Sequence, residues 1–80
     1  MSLRTLKVTL IDMQATADAM RRALVEALRE TERYEQLSDP DALHKAGRSL
    51  GDLSTYTIDL LENLKTAVRT VGEIIAKKPA

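Results

Sequence analysis

Apolar residues recur every three or four positions along almost the whole chain. The first series runs Leu3, Leu6, Leu10, Met13, Ala17, Met20, Leu24 and Ala27 without a break. A second runs Leu43, Ala46, Leu50, Leu53, Thr57, Leu60, Leu64, Ala67, Val71 and Ile74, with Thr57 its one polar member. A sustained 3-4 alternation is a heptad pattern, which keeps a narrow stripe of a helix turned toward a partner helix. Strong helix formers fill the positions between, and neither Gly nor Pro precedes Pro40.

Between the two series lies Gln36-Leu37-Ser38-Asp39-Pro40-Asp41. Asp39 is placed to cap a helix, because its carboxylate can accept from the first free backbone N–H groups. Pro40 then takes the first helical position, where its missing N–H costs nothing. Asp41 adds negative charge at the positive end of the helix dipole. Lys77 and Lys78 place positive charge at the other end, and Pro79 stops the helix. The spacing therefore predicts helix 1 over about 3–36, a turn over about 37–39 and helix 2 over about 40–78. So short a connection folds the helices back antiparallel. The expected fold is all-α, a single two-helix hairpin domain over 1–80. At ~1.5 Å per residue, helix 2 approaches ~60 Å in length, which makes the domain a rod.

A hairpin needs one apolar stripe per helix, and this sequence has more. Ile58, Leu61, Val68 and Ile75 form a second line on helix 2, beside Leu60, Leu64, Val71 and Ile74. Val8, Ile11, Val25 and Leu28 do the same more weakly on helix 1. An arc this wide exceeds what one partner helix covers. The predicted partner-binding residues are Ile58, Leu61, Leu64, Val68, Val71, Ile74 and Ile75. Gly47, Gly51 and Gly72 each either weaken helix 2 by ~1 kcal/mol or admit a second helix closely; both readings stay open.

Composition narrows the function classes. Eighty residues make a domain that buries only about 60% of its unfolded surface, so external stabilisation is expected. There is no cysteine, and His44 is the only histidine. Disulfides and thiolate or histidine metal sites are therefore excluded, which leaves partner chains as the source. The 12 basic and 12 acidic residues divide six and six in each of 1–37 and 38–80. That balance lacks the basic face a nucleic acid requires. Tyr34 and Tyr56 are the only aromatics, too few for an enzyme pocket or a base-stacking platform. No apolar run approaches the roughly 20 residues that span a bilayer, and Lys7, Thr9 and Asp12 interrupt the one stretch near a signal-peptide core. The expectation is a chain made in the cytoplasm without a cleaved signal.

Catalytic chemistry is not expected. Ser38, Asp39 and His44 are better explained by a helix cap than by a triad. Carboxylates occur at helical spacing, but the Glu-x-x-His of four-helix metal sites is missing. Neither cofactor nor metal is expected.

Several residues together resemble the needle-forming subunits of bacterial type III secretion systems. These are Leu10-Ile11-Asp12-Met13, the Ser38-Asp39-Pro40 turn, Tyr56, Leu64-Lys65-Thr66 and Gly72-Glu73-Ile74-Ile75-Ala76-Lys77. The resemblance runs from about Leu10 to Lys77. It departs from the family in having one proline at the turn, a Lys-Lys-Pro-Ala end, and Thr57-Ile58-Asp59-Leu60-Leu61 in place of a polar Asn-rich segment. The resemblance implies a bacterial chain that stacks helically into a hollow filament outside the cell, with helix 2 making most subunit contacts. It also implies a heteromeric chaperone complex before export. Two alternatives accompany it. One is a small needle chaperone, whose Arg- and Leu-rich first helix Ala19–Leu24 resembles. The other is a closed dimer forming a four-helix-bundle adaptor.

Overall fold

Helix α1 spans Leu3–Leu37 and helix α2 spans Pro40–Lys77, with Ser38 and Asp39 between them. The computed structural model describes residues 3–77; Lys78 and Pro79, expected to close α2, lie outside the described residues. The helices run antiparallel along one another, as the short turn requires. The molecule measures 64 × 15 × 14 Å with a radius of gyration of 18.2 Å. A compact domain of this length would have a radius of gyration near 12 Å. The hairpin is thus a rod about two helices thick, and the expected all-α architecture is the observed one.

The turn is built by local capping. Ser38 adopts φ 53°, the left-handed conformation that ends helices. Its N–H donates to the Tyr34 carbonyl at 2.7 Å, satisfying one of the last free acceptors of α1. Asp39 begins α2: its Oδ1 accepts from the Asp41 N–H at 3.1 Å, and its carbonyl accepts from the Ala42 N–H at 3.0 Å. An Arg33–Asp39 ion pair at 3.9 Å spans the turn, half exposed and so of small energetic weight.

The seam between the helices differs from the expected one. On α1 the residues turned inward are Leu6, Thr9, Met13, Thr16, Met20, Ala23, Ala27 and Glu30. On α2 they are Ala42, Ala46, Ser49, Leu53, Tyr56, Leu60, Asn63, Ala67, Thr70 and Ile74. Both sets are perfect 3-4 series. Each shares one heptad column with the expected seam (Leu6, Met13, Met20, Ala27; Ala46, Leu53, Leu60, Ala67, Ile74). The other expected column, Leu3, Leu10, Ala17 and Leu24 with Leu43, Leu50, Thr57, Leu64 and Val71, lies outside the seam and is exposed.

Small side chains explain how the polar column fits inside. The buried apolar residues among those described are Ala27, Ala42, Ala46 and Ala67. Ala42 is only 1% exposed, so the helices approach closely next to the turn. Threonine is tolerated in such a seam because its hydroxyl can bond within its own helix. Thr9, Thr16 and Thr70 each donate to the carbonyl four residues back, at 3.0, 3.0 and 2.8 Å. Glu30 is the costly member: it is 5% exposed and its Oε2 has no hydrogen-bond partner. A buried polar group left unpaired costs about 1–3 kcal/mol.

Candidate assembly surface

Naming the shared column a and the polar column d puts the exposed leucines at e in both helices. In an antiparallel pair the two e columns border the same side of the seam. One groove demonstrates it: Leu6, Leu10, Ala67, Val68 and Val71 line a single hollow of ≈ 280 Å³ spanning both helices. Leu10 and Val71 are the e residues, over a floor of Leu6 and Ala67 from column a.

The e columns therefore make one leucine flank running the length of the rod. Leu10 is 48% exposed, Leu24 52%, Leu50 51% and Leu64 45%, so each still offers about half its surface to a partner. Ala17 and Thr57 interrupt the leucines and make the flank less apolar at those positions. The opposite border is the g column. It carries Thr5, Asp12, Ala19, Glu26 and Arg33 from α1 and Lys45, Asp52, Asp59, Thr66 and Glu73 from α2. Its Ala19, Glu26, Thr66 and Glu73 are half-buried and its other six members are exposed, whereas every e residue is exposed.

The expected partner-binding residues distribute unevenly. Leu64 and Val71 belong to the e column, and Leu61, Val68 and Ile75 form the next column outward, extending the flank around α2. Ile58 is exposed on the outer side of α2, away from this surface. Ile74 is half-buried within the seam, where the 3-4 spacing also put it. Missing from the expected set are Leu3, Leu10, Leu24, Leu43 and Leu50, all assigned to the seam by their spacing. The signal that places them is a second series beside column a: the small and polar residues of column d also recur at helical spacing, so that a, d and e together mark a wide face on each helix.

The turn residues Ser38, Asp39 and Pro40 cap the helices as described and stand at one tip of the rod. His44 is exposed on α2. Among the described residues no group of acidic and histidine side chains is arranged to hold a metal. A larger groove of ≈ 540 Å³ lies on α1 alone, lined by Asp18, Arg21, Arg22, Val25, Glu26 and Arg29. Its charges are solvated, with Glu26 and Arg29 pairing at 3.1 Å. Gly47, Gly51 and Gly72 have open space where a Cβ would stand, so close approach of the two helices is not what they serve within the hairpin. No helix among the described residues is long and apolar enough to cross a membrane.

The fold and surface define a class: a rod-like helical hairpin with one apolar flank left open. No protein-family model, no curated protein and no solved structure matches the chain.

Proposed function

We propose that this chain is a non-catalytic structural subunit that assembles with further copies of itself through the leucine flank. The observation that carries this reading is the flank: Leu3, Leu10 and Leu24 of α1 and Leu43, Leu50, Leu64 and Val71 of α2 stand exposed on one side of the rod, interrupted by Ala17 and Thr57. Burying each Leu or Val is worth roughly 1.5–3 kcal/mol, and a polar seam gives the lone hairpin little core to set against that.

The particular form proposed is a needle subunit of a bacterial type III secretion system, exported from the cell and stacked into a hollow filament. The resemblance in the Ser38–Pro40 turn, Tyr56 and the Gly72–Lys77 end supports it. The exposed outer column Leu61, Val68 and Ile75 supports it too, because it provides contacts beyond a single opposing hairpin. A contact that joins two different patches and does not close gives a filament. Before export, a chaperone covering the same residues of α2 would keep the subunit soluble.

One observation favours a second reading. The flank is one-sided, and a one-sided flank shared by two helices is what a closed dimer buries at the centre of a four-helix bundle. Negative-stain microscopy of the purified chain, paired with sedimentation, separates the two. Filaments establish the needle form. A discrete dimer at all concentrations replaces it with the bundle. A well-folded monomer at high concentration removes self-assembly altogether.

A further inference from the structure

Each helix carries two complete seams that share a column. Column a can be paired with d, as in the structure, or with e. The a-and-e seam is continuous over both helices, from Leu3 to Ala27 and from Leu43 to Ile74. Because the two e columns lie on the same side of the rod, turning both helices in the matching sense brings both columns inward at once. At 3.5 residues per turn the rotation needed is roughly 50°. The seam hydroxyls of Thr9, Thr16 and Thr70 bond within their own helices. They do not tie one helix to the other, and they move with the rotating helix intact. The same rotation carries Glu30, whose Oε2 is buried without a partner, out toward water.

We propose that the hairpin is a two-position device: an open form with the polar seam inside and the leucine flank exposed, and a closed form in which the helices rotate to bury the leucines in their own hairpin. The structure is the open form. This inference rests on the reading of the leucine flank as the assembly surface, and it supplies the regulation of that surface. A free subunit hides its leucines by rotation; a neighbouring copy that binds the flank holds the open seam in place. A ligand shifts such an equilibrium by binding one form and not the other. Here the ligand is a second copy, so opening and assembly are linked.

The absence of cysteine allows a direct test by single thiols. Asn63→Cys reports the d column, Leu64→Cys the e column, and Ser54→Cys an exposed reference outside both. Alkylation rates are measured at dilutions where sedimentation shows monomer, and again with Val68→Glu added to block association from outside either seam. With rotation, Leu64→Cys reacts about threefold or more slowly than Ser54→Cys in the monomer, independent of concentration. Unfolding cannot imitate that result, because it only speeds labelling. If Leu64→Cys keeps within about threefold of the reference while Asn63→Cys is protected, one seam exists and the device is overturned. The assembly reading fails separately: a slow Leu64→Cys in a chain that never assembles leaves rotation standing and removes the partner.

Discussion

The two borders of the seam are made by the same two helices and have opposite character. One is lined by Leu3, Leu10, Leu24, Leu43, Leu50, Leu64 and Val71; the other by Asp12, Glu26, Arg33, Lys45, Asp52, Asp59 and Glu73. A lone hairpin that keeps this seam gains nothing from an apolar border in water, and charge on both sides would serve it better. Part of the polar border is also better covered, with Ala19, Glu26, Thr66 and Glu73 half-buried. The asymmetry is what the proposed assembly calls for: the internal seam aligns the helices and leaves the apolar border outside it.

The largest effect is expected from breaking the leucine border. Leu64→Asp with Val71→Asp should abolish assembly, since each position loses roughly 1.5–3 kcal/mol of burial and gains a charge to desolvate. Circular dichroism of the variant should stay helical, because both residues are exposed in the open form and the a-and-d seam is untouched. Filaments or dimers of unchanged size by microscopy and sedimentation would refute the role of this border. Ile74→Asp is the matched contrast. Ile74 is half-buried between the helices, so its loss of assembly should come with loss of helicity at the open end of the rod.

Making the borders alike should be nearly as disruptive. Asp52→Leu with Asp59→Leu puts leucine on the polar side of α2 and gives the rod two apolar borders. Contacts that no longer close or register should yield large, irregular aggregates in light scattering. A variant that keeps the size distribution of the parent would show that the polar border does not direct assembly.

The hairpin is legible in the sequence because its signals are local. Asp39 and Pro40 state a helix start by their own chemistry, and both helix spans follow within about a residue at the described ends. The choice of seam is not legible from spacing, because columns d and e both complete a 3-4 series with column a. Hydrophobicity favours the leucines, and the hairpin takes the smaller and more polar residues. Ala27, Ala42 and Ala46 allow close approach, and threonine hydroxyls find acceptors in their own helices. This is also why five leucines of the flank are expected inside and are found outside. Ser38 in a left-handed conformation and Glu30 in the seam have no signal in the pattern, since both work against ordinary preferences.

Glu30 offers a smaller test of the same asymmetry. Its buried Oε2 lacks a partner, so Glu30→Met, which keeps most of the volume, should stabilise the hairpin by about 1–3 kcal/mol. For a domain this small each kcal/mol raises Tm by about 4–8 °C. Thermal unfolding of the non-assembling Leu64→Asp, Val71→Asp background would read the shift without interference from association. A lower Tm would mean that the carboxylate is satisfied in solution and that the polar seam carries no penalty.

The smallest expected effect comes from the turn, which borders both sides equally. Asp39 Oδ1 accepts from the Asp41 N–H at 3.1 Å, and replacing an Asp cap by Ala costs about 1 kcal/mol. Asp39→Ala should therefore lower Tm by several degrees and leave the form of the assembly unchanged, because the cap meets the polar border only through its weak pair with Arg33 and does not reach the leucines. The two readouts are separable: calorimetry follows the hairpin and sedimentation follows its association. A variant that kept its Tm but changed its assembly would place the turn itself in the contact surface, moving the site from the length of the rod to its tip.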